Sequence, residues 1–428
     1  MSQSWKSQAW RGLPLYNSSR TEKQELRDEE EDHELLTSPD RSSNEDEFDQ
    51  DTNAAYRRSR QEPALFWSDS DRKNGSRCAE RYASIVAATL LLIVLIAGLG
   101  IISSTTTQKC SGEEISRPPS SLGSATDKAK IVRQEWRRLT TAQQQSYISA
   151  LKCLQSLPPL LPHMPPNASS YSDYPYVHAH IGYRTHNSAS FLPWHRYFLH
   201  LFESRLRTDC GYDGGIPYWD WTLDAEDLAS SPVISADNGF GGDGDPAGDI
   251  TVGRHGRCVV DGPFAGLQVL WYDVKYQPHC LSRGFRTDEA GGNGRMDGSA
   301  LSPEEIDRIL DLDGYEDFVP ALEKKVHDVI PFGVGGDFET FSAPFEPLFW
   351  LHHSQLDRLW WLWQKERDER IGEYGGHRFR HSIEAATLDD KVEVGGVLGR
   401  DVMVRDLVSV DRGCEGHDNG LLCYSYDG

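Results

Sequence analysis

Positive charge is the first thing this chain is short of. Its 428 residues hold 44 Lys and Arg against 66 Asp and Glu, a formal net charge of -22. A surface of that sign repels a phosphate backbone, which excludes nucleic acid as a partner. Apolar residues are scarce too, at 38%, and the shortage is concentrated in residues 1–80. Between Glu22 and Asp51, 14 acidic residues face only Lys23, Arg27 and Arg41. A segment with so little to bury cannot offset its own ordering entropy, so residues 1–80 are expected to form a disordered acidic tail. Inside it, Glu31-x-x-x-Leu35-Leu36 resembles an acidic dileucine sorting signal, a pattern that an acidic tract also produces by chance.

Several catalytic signatures are missing as well. There is no HExxH, which argues against a zinc protease, and no G-x-S-x-G nucleophile elbow. No internal repeat is visible. Gly239 to Gly244 formally matches GxGxxG, but no strand leads into it and Asp243 and Asp245 stand beside it, so a phosphate cradle is rejected.

What is present begins with Ala83 to Ile102, 20 residues without a charge and rich in Ile, Leu, Val and Ala. That is about the 20 residues a helix needs to cross a bilayer core, so residues 83–103 are expected to be a transmembrane signal-anchor in the lipid bilayer. Arg57, Arg58, Arg60, Arg72, Lys73, Arg77 and Arg81 crowd its N-terminal side, and on the other side only Lys109 is close. The positive-inside rule places the tail in the cytosol and everything after the span in the lumen or outside the cell. Residues 104–127, rich in Ser, Thr and Pro, read as a stalk, and 128–428 as the working domain.

Cysteine usage agrees with that topology. Cys78 falls on the cytosolic side, while Cys110, Cys153, Cys210, Cys258, Cys280, Cys414 and Cys423 fall where disulfides persist. Cys258 with Cys280 and Cys414 with Cys423 are the pairs expected from proximity, and an odd cysteine is left over. Asn167-Ala168-Ser169 is a glycosylation sequon on the lumenal side.

The domain reads as mainly α with long irregular loops. Helices are expected over Lys128–Leu161, Phe191–Arg207, Ser302 to about Leu312, from Pro320 onward, and Phe349 to about Glu369, with short strands or loop over Val392–Val410. His178, His186 and His195 fall close together, the last within Pro193-Trp194-His195-Arg196. Far downstream, His352 and His353 open a second aromatic-rich helix, with His353, Leu356 and Trp360 on its apolar face. One buried histidine is ordinarily a hydrogen-bonded core residue; a cluster of them reads as a metal site. Imidazole suits copper, zinc, iron and nickel, and the absence of Cys and carboxylates among these residues leans toward copper. A structural zinc finger is disfavoured because the ligands sit on two distant helices.

Tyr176 to Trp221 resembles the first copper-binding motif of the tyrosinase and polyphenol oxidase family: His178, His186 eight residues on, His195 nine further, then Cys210-Gly211-Tyr212 and Pro217-Tyr218-Trp219-Asp220-Trp221. Leu322 to Gln364 resembles the second, with His327, Gly335-Gly336-Asp337 and Leu351-His352-His353 leading to Arg358-Leu359-Trp360. The spacing to Asp357 marks His353, rather than His352, as the matching ligand. The likeness covers about residues 128–427 and is of fungal type. It implies a four-helix-bundle core, two copper ions with three histidines each, and O2 taken up between them. The activity implied is ortho-hydroxylation of phenols and oxidation of catechols.

The likeness fails at one ligand. The second motif of the family has histidines at i and i+4, and four residues after His327 stands Pro331. Proline cannot bind a metal and tends to end the helix. The metal ligands implied are therefore His178, His186, His195, His327 and His353. Asp328, His352, His180, His279 or water remain open as the sixth. The second position is thus either completed by another group, weakly loaded, or degenerate. The first two outcomes give an oxidase of a phenolic small molecule or tyrosyl peptide; the third gives a non-catalytic binding partner. Asp328 is also a possible modulator, since it stands where many phenol-hydroxylating members have Asn. Arg184 occupies the position of a cysteine that forms a thioether in some members, so no such crosslink is expected.

Overall fold

The computed structural model describes residues 130–428, apart from 250, 254, 288–295 and 415–419. The tail, the apolar run at 83–103 and the stalk lie outside the described residues. Among those described, no helix is long and apolar enough to cross a membrane.

In chain order the elements open with β1 (Ile131–Arg133), α1 (Thr141–Ser156), α2 (Asp173–His180) and α3 (Phe191–Cys210). Long connections then carry short strands β2 (Thr251–Val252), β3 (Gly256–Cys258), β4 (Gln268–Tyr272), β5 (Lys275–Cys280) and β6 (Ser282–Arg283). Helices return as α4 (Pro303–Leu310), α5 (Tyr315–Leu322), a π-helix (Glu323–His327), α6 (Val329–Val334) and α7 (Leu348–Glu366). β7 (Lys391–Val392), β8 (Val402–Met403) and β9 (Tyr424–Tyr426) complete the chain.

The helix expected from Lys128 to Leu161 is corrected. Its first part is β1 followed by a single 3-10 turn, Trp136–Arg138, and only Thr141–Ser156 is α-helical. Two forces override the helical pattern there. β1 pairs in parallel with β9, Ile131 opposite Tyr424 and Arg133 opposite Tyr426. The Thr140 side chain then caps α1, with Gln143 returning a bond to the Thr140 backbone, which fixes the start of the helix. The helix expected from Pro320 begins earlier, at Tyr315, and Pro320 lies inside it. A missing proline N–H loosens the ladder, and the chain continues as the wider π turn that carries His327.

α3 and α7 form the centre of the core. The rings of Phe202 and Trp350 stack face to face, Phe198 packs beside them, and Tyr174 of α2 meets both phenylalanines edge-on. Each such buried ring contributes roughly 1.5–3 kcal/mol of transfer free energy. One carboxylate ties this core together. Asp357 on α7 accepts from Arg196 of α3, from Arg133 of β1 (3.1 Å) and from the Tyr424 and Tyr426 hydroxyls of β9 (2.6 Å each). Burial alone would raise its pKa, but Arg196 and Arg133 hold it below the usual carboxylate value. Cys258–Cys280 and Cys414–Cys423 pair as expected, and Cys153–Cys210 joins α1 to the end of α3.

Candidate metal centre

Four helical segments bring the predicted histidines to one place. His178 comes from the last turn of α2, His195 from the first turns of α3, His327 from the π-helix and His353 from α7. His186 follows a 3-10 turn, Gly182–Thr185. The rings of His195 and His353, 158 positions apart in sequence, stack with centroids 4.5 Å apart. His327 lies 5.2 Å from His353 and 5.8 Å from His186.

In His178, His186 and His195 the ligand atoms all lie within 4.8 Å of one another. Their other nitrogens are committed outward. Nδ1 donates to the Phe341 carbonyl in His178 (2.7 Å), to Gly182 in His186 (3.0 Å) and to Phe191 in His195 (2.8 Å). Nδ1 thus holds the proton and Nε2 the lone pair, the arrangement a metal requires. His178 and His195 present their Nε2 atoms to each other at 3.4 Å. Two lone pairs facing across that gap repel unless a cation or proton lies between them. Burial also lowers the basicity of all three rings, His178 to about 4, so they are neutral at physiological pH. This triad fits copper.

The second half is different. His353 repeats the pattern: Nδ1 donates to Phe349 (3.0 Å) and the buried Nε2 has no protein partner. His327 Nδ1 donates to the Asp328 carboxylate at 2.8 Å, which leaves Nε2 for a metal. Asp328 is therefore committed to orienting His327 and does not serve as the substitute ligand. His180 stacks on Tyr176, bonds its carbonyl and is exposed. His279 is bound by Asp337 at 2.7 Å. Neither joins the cluster. His352 does lie beside it, 5.3 Å from His327 and 5.1 Å from His353. Its Nδ1, however, accepts a hydrogen bond from the Trp221 indole at 3.2 Å. Pro331 is buried within α6 and offers nothing. Among the described residues the second position has two imidazoles, His327 and His353, that hold Nδ1 outward and leave Nε2 to bind, and no third so arranged; the residues there fit a bound ion incompletely.

Aromatic walls close the site. Phe191 lies against His195 and His327, Phe341 against His186, and Phe349 against His353. Arg184 covers the Phe379 ring and forms no crosslink.

Residues 168–366 match the profile of the common central domain of tyrosinase. Tyrosinase ustQ of Aspergillus flavus is 42% identical over 344 residues, spanning 80% of this chain and 87% of the relative. The chain belongs to the tyrosinase family. Within that family the tyrosinase-like protein phomQ2 of Diaporthe leptostromiformis is 37% identical, over 83% of this chain and 87% of its own. The polyphenol oxidase of Thermothelomyces thermophila, solved as a G292N variant, superposes with a TM-score of 0.59 at 28% identity, over 70% of this chain and 89% of that one. As a tyrosinase-family member, the chain is an oxidoreductase.

Two residues of the site were missed in the sequence. Glu323 is fully buried, and its Oε1 accepts from the Asn187 N–H at 2.8 Å, tying the loop after His186 to the π-helix of His327. Burial raises its pKa to about 8. Its position four residues before His327 was the available signal. Trp221 was seen only as part of an aromatic motif; its bond to His352 joins residues 131 positions apart.

Proposed function

We propose that the chain is a copper-dependent oxidase that uses O2 to oxidise a phenol or catechol, with the first metal held by His178, His186 and His195 and the second by His327 and His353 alone. The observation that carries this reading is the meeting of the two motifs, with His195 stacked on His353 at 4.5 Å. Copper bound there supplies the electron transfer and the activation of dioxygen. The protein's own residues hold five Nε2 lone pairs inward, and the phenylalanine walls exclude water from the space between them. Asp328, whose side chain is 27% exposed, is directed at His327 and would modulate the ring that faces the second position. Several relatives are tyrosinase-like proteins of filamentous fungi, which supports a substrate from natural-product synthesis: a phenolic small molecule or a tyrosyl side chain of a peptide.

The location we propose is a single-pass membrane protein of the secretory pathway, with the tail cytosolic and the copper domain lumenal or extracellular. Three disulfides and an exposed Asn167 sequon are compatible with that side of the membrane. A second reading, a non-catalytic partner with a degenerate centre, is favoured by Pro331. Copper counting separates the two. The purified chain is loaded with copper and the metal per chain measured, followed by oxygen uptake with a catechol. Two coppers with turnover support the oxidase; one copper without turnover supports the partner.

A further inference from the structure

The histidines of the centre do not secure their outward nitrogens in the same way. His186, His195 and His353 each give Nδ1–H to the carbonyl four residues back, so their own turn of chain sets the ring. His178 instead reaches 163 positions along the chain, to the Phe341 carbonyl at 2.7 Å. Its orientation is only as fixed as that remote segment.

Thr340–Ser342 is a short strap between two 3-10 turns, Gly336–Glu339 and Ala343–Phe345. Backbone groups outside a helix or sheet ladder need partners from elsewhere. Here the β4–β5 hairpin supplies them. Its two-residue turn, Asp273–Val274, joins Tyr272 to its pairing partner Lys275. Asp273 Oδ1 accepts the Phe341 N–H at 2.7 Å, and the Asp273 N–H donates to Ser342 Oγ at 3.1 Å. The buried Ser342 hydroxyl donates in turn to the Trp271 carbonyl at 3.0 Å. Asp273 holds a left-handed φ of 52°, which Asp and Asn tolerate better than most side chains. Phe341 thus has its N–H on a carboxylate and its carbonyl on a histidine of the triad.

A competing bond makes that grip matter. His178 Nε2 faces His195 Nε2 at 3.4 Å. A neutral His178 ring released from Phe341 gains by moving its proton to Nε2 and donating it to the His195 lone pair. That tautomer puts a proton where a metal needs a lone pair.

We propose that Asp273 is a positioning residue for the first metal: by holding the Phe341 N–H it fixes the carbonyl that keeps the His178 proton on Nδ1 and the Nε2 lone pair inward. The inference rests on the reading that His178, His186 and His195 bind that metal, and it is tested without turnover.

Asp273→Gly and Asp273→Asn separate this role from a turn-forming one. Both residues accept a left-handed φ, and only asparagine keeps a side-chain acceptor. In the metal-free full chain labelled with 15N-histidine, the His178 signal is assigned by its loss in His178→Gln. It is expected as Nδ1–H in the parent and in Asp273→Asn, and shifted toward Nε2–H in Asp273→Gly. His353, anchored within its own helix, should stay Nδ1–H throughout. In chelator competition with one equivalent of Cu(I), Asp273→Gly should weaken binding about tenfold, the low end for loss of an outer partner, and Asp273→Asn should recover most of that. A His178 signal unchanged in Asp273→Gly, or a loss of affinity equal in the two variants, would overturn the proposal. Hydrogen exchange in the parent tests it even where a variant fails to fold. The Phe341 amide should be as protected as the amides that join β4 to β5, and rapid exchange there would overturn it. A parent chain that takes up no copper would count against the metal reading and leave the tautomer result standing.

Discussion

The two halves of the centre are built by different means. In the first, His178 and His195 sit on regular α-helix, and each of the three histidines anchors Nδ1 on a backbone carbonyl. In the second, His327 comes from a π turn that runs into a proline-bearing helix, and it is anchored on a carboxylate. Backbone anchors survive most substitutions, because they do not depend on which side chains are present. Side-chain anchors do not. The second half should therefore respond to changes that leave the first untouched.

The largest expected effect comes from erasing the difference between the halves. Asp357 binds Arg196, the neighbour of His195, while lying one turn beyond His353. Asp357→Asn leaves Arg196 without its buried counter-charge, while Arg133 keeps Glu203 at 3.0 Å, and should cost about 3–5 kcal/mol in denaturant unfolding, with both metals lost together. Loss of one metal only would show that the halves fold independently.

Next comes a pH effect located at the seam. Glu323 has its folded pKa raised to about 8 by burial, so the native state keeps a proton that the unfolded chain releases near 4.5. Its contribution is most favourable below pH 4.5 and declines as pH rises toward 8. Glu323→Gln in the metal-free chain should match the parent at pH 5 and exceed it by on the order of a few kcal/mol above pH 8, read as the difference in unfolding free energy. The buried histidines act in the opposite direction, losing stability as pH falls below 6.5, and they cancel in that difference.

Asp328→Asn sharpens the contrast between halves. It removes the carboxylate charge that accepts from His327 Nδ1 and should weaken the second metal about 10–100-fold, with the first unchanged in the same titration. The smallest effect expected is that of Pro331→His. It restores a sixth imidazole where the π turn precedes α6, and a gain of roughly tenfold in affinity at the second position is anticipated. An equal gain at both positions would count against the two-imidazole description.

The difference between the halves also explains what the sequence disclosed. The meeting of His178, His186, His195, His327 and His353 was legible because motif spacing and helix period are local, as were Cys258–Cys280 and Cys414–Cys423. α3 and α7 lie within a few residues of their expected bounds. The segment from Lys128 misled, since Ile131, Trp136 and Leu139 have helical spacing while the partner that draws β1 into a strand lies almost three hundred residues away in β9. Cys153–Cys210 and Trp221–His352 were hidden for the same reason. Asp328 could be named but not assigned, because whether a carboxylate binds a metal or a histidine depends on a side-chain angle.

The aromatic packing gives each half its own optical reporter. The Trp194 indole lies 5.0 Å from His195 and 5.7 Å from His178, and Trp221 lies 6.2 Å from His352. A redox-active ion quenches the emission of an indole held that near. Filling of the two positions should therefore darken two different tryptophans, and replacing each in turn with phenylalanine would separate their loading by fluorescence alone.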